Sequence, residues 1–150
     1  MPTIYDNIEK HLAEGLRNTL EVSHKADFCI GYFNLRGWKQ VADYIEKWSG
    51  EAENCCRLLV GMQKPPQELI AEYFANIEEY LIDNQKAAQL KKQLALEFKK
   101  QLTIGIPTEE DEIALRKLSK QLKEKKVVVK LFLRHTLHAK LYFVLEKIKS

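Results

Sequence analysis

Ile4, Ile8, Leu12, Leu16 and Leu20 recur every four positions, the stripe of an amphipathic helix that buries one side. After the polar break at Ser23, His24 and Lys25, residues 26–33 (ADFCIGYF) form a short apolar run that ends at Asn34, Leu35, Arg36 and Gly37. Such a run, rich in strand formers and closed by turn residues, predicts a buried strand with a polar corner. Trp38, Val41, Tyr44, Ile45 and Trp48 return to helical spacing until Ser49 and Gly50 stop them. Residues 56–62 (CRLLVGM) are the next apolar run. A single helix between two strands predicts a right-handed βαβ crossover and parallel pairing.

Pro65 and Pro66 open a stretch from residue 67 to about residue 100 without Gly or Pro, carrying Leu69, Ile70, Tyr73, Phe74, Ile77, Tyr80 and Leu81 on one face. It predicts one long helix, or two broken near Asp83 and Asn84. Gly105, Ile106 and Pro107 end it. Thr108 followed three residues later by Asp111 is a capping signal, with Glu109 and Glu110 at the positive end of a helix running to about Lys125. Residues 127–133 (VVVKLFL) and 138–145 (HAKLYFVL) read as two strands joined by a short turn, a C-terminal hairpin. The predicted class is α/β: a mixed, mostly parallel sheet flanked by helices, in one domain spanning residues 1–150. The chain stops a few residues after its last strand, which reads as a domain cut short at its C-terminus.

Composition narrows the classes. With 45% hydrophobic and 30% charged residues, six Gly and four Pro, the chain is neither disordered nor low-complexity. Its uncharged runs fall far short of the ~20 apolar residues of a spanning helix. Asp6 and Glu9 interrupt what would be a signal core, so a cytoplasmic protein without membrane contact is expected. Cys29, Cys55 and Cys56 lack C-x-x-C spacing and read as reduced, mostly buried thiols, and neither a metal nor a cofactor is expected. Charge is uneven: residues 113–150 hold 11 Lys and Arg against two Asp and Glu, net +9, whereas residues 1–112 hold 13 against 19, net −6. An anionic partner would be met in the last quarter, where Lys117, Lys120, Lys123, Lys125 and Lys126 can contact a DNA backbone without sequence preference.

The chemistry-bearing piece is His138-Ala139-Lys140. Residues i and i+2 of a strand share a face, so His138, Lys140 and Tyr142 should project together while Ala139, Leu141 and Phe143 pack on the opposite side. An imidazole titrating near neutrality beside a fixed cation suits attack on a phosphodiester, the ammonium holding the phosphate oxygens. Asn34 and Arg36, at the end of the first strand, could line a phosphate pocket, although Asn before Gly is also an ordinary turn. Arg134 and His135 lie in the turn before the motif.

Residues 133–143 (LRHTLHAKLYF) resemble the H-x-K core of the phospholipase D superfamily, in particular the nuclease-like domain at the front of some bacterial helicases. Residues 26–38 and 57–62 resemble that family's first strand and corner and its second strand. The resemblance implies that His138 is the nucleophile of a phosphohistidine mechanism, that Lys140 binds phosphate, and that no metal is needed. The family pattern is H-x-K-x4-D; here Leu145 stands at the acidic position, with Glu146 one residue later. Family sites use two H-x-K motifs and this chain has one, so a homodimer partner or further sequence would supply the second. The expected partners are therefore nucleic acid, a second copy and a helicase domain. The alternative is a catalytically incomplete module that binds nucleic acid or associates with itself.

Overall fold

The computed structural model describes residues 11–62, 84–105 and 108–148, with the isolated helical positions 68 and 71. The start of the N-terminal stripe and most of the predicted helix over 67–83 lie outside the described residues. In chain order the elements are α1 (Leu12–Glu21), β1 (Ser23–Ile30), α2 (Leu35–Lys39), α3 (Ala42–Glu46), β2 (Cys56–Gly61), α4 (Asn84–Leu102), α5 (Glu109–Lys123), β3 (Val127–Phe132) and β4 (Lys140–Glu146). The expected α/β class holds: the sheet is four-stranded in the order β3-β2-β1-β4 and flanked by helices. β1 pairs parallel with β2, and β2 with β3, while β4 lies antiparallel to β1.

The pairing register puts Ala26, Phe28, Cys56, Leu58, Val60 and Val127 on one face, where they are buried with Leu20, Leu35, Trp38, Ile45, Leu102 and Leu118 of the helices. Each valine, leucine, isoleucine or phenylalanine among them contributes roughly 1.5–3 kcal/mol when fully withdrawn from water. The predicted second helix is two short ones broken at Gln40 and Val41. The break lets both tryptophans reach the core, the Trp48 indole N–H donating to the Ser23 carbonyl at 3.0 Å.

Polar groups lock the helical layer. Gln121 is fully buried: it accepts from the Trp38 indole at 3.1 Å and donates to the Ala42 carbonyl at 2.9 Å and to Glu46 at 3.0 Å. One amide thereby ties α5 to α2 and α3. Gln101 of α4, also buried, donates to the carbonyls of Phe33 at 3.4 Å and Gly61 at 3.3 Å, pinning the helix to the ends of two strands.

The predicted start of α5 is realised as a full capping box, with Asp111 N–H donating to Thr108 Oγ1 at 3.2 Å and Thr108 N–H to Asp111 Oδ2 at 3.1 Å. Its other end closes as a Schellman turn: Lys126 N–H donates to the Gln121 carbonyl and Lys125 N–H to the Leu122 carbonyl. Lys125 occupies the left-handed position, φ 58°, that glycine usually takes.

The C-terminal hairpin is not formed. β3 and β4 are opposite edges of the sheet, and the seven residues between them, 133–139, strap across the ends of β2 and β1. Three strand spacings are about 14 Å, well within the roughly 23–25 Å that seven residues can reach. Two demands outweigh the short turn. β1 is an interior strand whose second edge needs hydrogen-bond partners, which β4 supplies. The strap can also lie directly on the sheet's end because Gly31 and Gly61 stand beneath it. A Cβ on Gly31 would run into the Leu137 carbonyl oxygen, and one on Gly61 would sit 2.5 Å from the Gly31 carbonyl oxygen. The Gly31 N–H donates to the Ala139 carbonyl at 2.7 Å and closes the crossing.

Two substitutions test these constraints by urea unfolding. Lys125→Gly should raise stability by about 0.5–1 kcal/mol, relieving the left-handed lysine. Gly31→Ala should lower it by about 2–3 kcal/mol, because backbone rather than a flexible side chain must yield.

Candidate functional site

The three parallel strands end at one edge of the sheet, and β4 begins there. Open α/β sheets collect ligands outside the carboxyl ends of their strands, where the strand order turns back. Here that place lies beside β1, between the strands that follow it on one side and β4 on the other. The strap carries His138 to this edge, and β4 opens with Lys140 opposite Ile30. His138 thus precedes the strand that was expected to contain it, since residues 137–139 are spent in crossing Gly31. Both side chains are exposed and line an open pocket of about 470 Å³ with Gly31, Tyr32, Met62 and Thr136.

Strand alternation places Lys140 and Tyr142 toward the helices and Leu141 and Phe143 away from them, as expected. Tyr142 does not reach the pocket. It packs edge-on against Phe28, centroids 5.0 Å apart, and burial pushes its phenol pKa up. The opposite face was expected to be packed, yet Leu141, Phe143, Leu145 and Val128 are exposed on it, Phe143 by 61%. In the middle of that face Arg57 and Asp27, directly opposed on β2 and β1, form a two-pronged ion pair that holds the Asp27 carboxyl below its ordinary range.

Asn34 caps α2, its side chain accepting the Gly37 N–H at 2.9 Å, and it also lines, with Arg36, a second pocket. Arg36 is exposed, and this pocket of about 610 Å³ is lined as well by Tyr32, Leu35, Leu102, Ile104, Leu115 and residues of the first turn of α5. Tyr32, 42% exposed, borders both pockets. The sequence reading passed over it; an aromatic residue two positions beyond the end of β1, where ligands collect, is the signal that could have found it. Arg134 and His135 are exposed on the strap, the His135 ring edge-on to Phe132 at 4.8 Å.

Of the five lysines expected to contact nucleic acid, Lys117, Lys120 and Lys126 are in ion pairs, while Lys123 and Lys125 are exposed. Lys117 pairs with Asp43, and Lys120 with Glu46 at 3.3 Å and Glu124 at 3.6 Å. Lys126 also reaches Glu46 and Glu124. Partial burial works against ionisation of Glu46, but Lys120, Gln121 and Lys126 outweigh it and hold the carboxyl below its ordinary value. α5 runs from the second pocket back to the amino end of β3, so Lys117 and Lys120 lie toward the end of the sheet away from His138. Glu146 is likewise remote: it faces Ser23 at the other end of β4, about 20 Å from Lys140 at the strand rise.

Cys55 and Cys56 are buried and Cys29 half-buried, all as free thiols, and burial pushes the Cys56 thiol up. His24, at the bulge in β1, has a buried Nδ1 with no hydrogen-bond partner among the described residues. Among the described residues no three His, Cys, Asp or Glu side chains converge to hold a metal ion, and no helix is long and apolar enough to cross a membrane. Compared with known proteins, the chain matches no family model, no curated protein and no solved structure.

Proposed function

We propose that this chain is a phospholipase D-like phosphodiesterase domain of a helicase-type protein, cytoplasmic and acting on nucleic acid. The observation that supports it is the pairing of His138 and Lys140 in one open pocket at the carboxyl ends of the parallel strands. The His138 imidazole attacks phosphorus, a P–N bond forms and the P–O bond to the leaving group breaks, giving a phosphohistidine. Lys140 holds the non-bridging oxygens as charge gathers on them. The departing oxygen takes a proton from a second imidazole, which then removes a proton from the water that cleaves the P–N bond and restores His138. In this proposal that second imidazole is His138 of another copy across a two-fold axis.

A second reading is a self-associating module without turnover, and the exposed apolar face of Leu141, Phe143 and Leu145 favours it. Light scattering, together with hydrolysis of bis(4-nitrophenyl) phosphate in EDTA, separates the two. The enzyme reading expects a dimer whose EDTA-insensitive turnover falls about a thousandfold or more in His138→Ala, with folding and DNA affinity nearly intact. Equal rates in wild type and variant, or no turnover at all, would overturn it; an inactive dimer would favour the module.

A further inference from the structure

The pocket beside the His138 cleft is the larger of the two, and Tyr32 is common to both. Its floor is apolar, made by the buried Leu35 and Leu102 with Leu115, while Tyr32 and Ile104 stand exposed at its rim. Its polar wall is mixed: Glu109, Asp111 and Glu112 open α5 there, and Arg36 lines it with them. Asp111 is taken by Lys39 at 2.7 Å and Glu112 by Arg116, whereas Glu109 is in no ion pair among the described residues. With Asp111 and Glu112 neutralised, Glu109 and Arg36 leave the wall close to neutral, and a flat ring that donates N–H bonds suits it: the ring stacks on the tyrosine, covers the leucines and gives its amino hydrogens to the Glu109 carboxylate.

We propose that this pocket is a nucleoside subsite continuous with the His138–Lys140 cleft. The scissile phosphate lies against Lys140, one amine-bearing base stacks on Tyr32 beneath Glu109, and the rest of the polyanion leaves on the other side, past Arg134 of the strap. The proposal rests on the phosphodiesterase reading for its chemistry, but occupancy of the pocket can be read without turnover.

The test compares kcat/KM for the 5′-(4-nitrophenyl phosphate) esters of 2′-deoxycytidine and thymidine with that for methyl 4-nitrophenyl phosphate. In parallel, binding of 2′-deoxycytidine 5′-monophosphate is followed through the backbone amide NMR signals of Tyr32 and Gly105. The deoxycytidine ester should be preferred over the methyl ester, and Tyr32→Ala should cut that preference and the nucleotide affinity about tenfold, as loss of one stacked base does. Tyr32→Phe should keep both. Glu109→Gln should narrow the preference for deoxycytidine over thymidine. Turnover of all three esters with a preference unchanged in Tyr32→Ala would overturn the subsite while leaving the phosphodiesterase reading in place. Tyr32-dependent nucleotide binding without turnover of any ester would uphold the subsite and remove the phosphodiesterase reading. Nucleotide binding that is absent, or indifferent to Tyr32, overturns the subsite whatever the esters show.

Discussion

Three backbones meet where the strap crosses the sheet. Gly61 lies against the Gly31 carbonyl, and Gly31 lies against the Leu137 carbonyl, with no room for a Cβ at either glycine. Everything at the carboxyl edge depends on that stack. It lets residues 133–139 pass close enough for the Gly31–Ala139 hydrogen bond, which sets the register in which β4 begins and so fixes where His138 and Lys140 stand relative to β1. A larger residue at 31 would lift the strap, and the two side chains would no longer share a wall.

The helical layer supports the same edge from behind. Gln101 donates to the carbonyl of Phe33, just beyond β1, and to that of Gly61, the last residue of β2. Gln121 satisfies an indole, a backbone carbonyl and a carboxylate from the opposite side of the core. Buried amides of this kind cost stability unless every partner is present. Their satisfaction here fixes one arrangement of α2, α3, α4 and α5 rather than several of similar packing. The pocket that Tyr32 shares with the His138 cleft therefore has rigid walls on its helical side.

Much of this fold was legible in the residues. The two apolar runs became β1 and β2, parallel as a single intervening helical segment predicts, and the Thr108 and Asp111 pair produced its capping box. The last two strands were also found, but their pairing was not. Local periodicity says that two strands exist and cannot say which edge of a sheet each will join, and β1's need for a second neighbour arises only once the sheet is assembled. For the site, the H-x-K spacing named the two side chains that the fold brings together. Tyr142 was placed on the correct face but is occupied in packing against Phe28. The lysines of α5 were read as a charged surface, whereas Lys117 and Lys120 meet carboxylates of α3, Asp43 and Glu46, 74 residues earlier in sequence and beyond any local pattern. Tyr32 is distinguished by what surrounds it, and the leucines and acids of that pocket come from segments far apart in sequence.

The strap also has a mechanical meaning. It is anchored at one end to β3 and at the other to β4, the two outermost strands, so it runs over the sheet like a cord tied to both edges. Tension applied at the C-terminal end of β4 would peel that strand from β1 one hydrogen-bonded pair at a time, starting beside Ser23. At the Gly31–Ala139 bond the load would pass into the cord and across to β3, drawing the far edge inward instead of freeing the near one. The sheet can open from the end that carries no site, while the end that holds His138 tightens under the same pull.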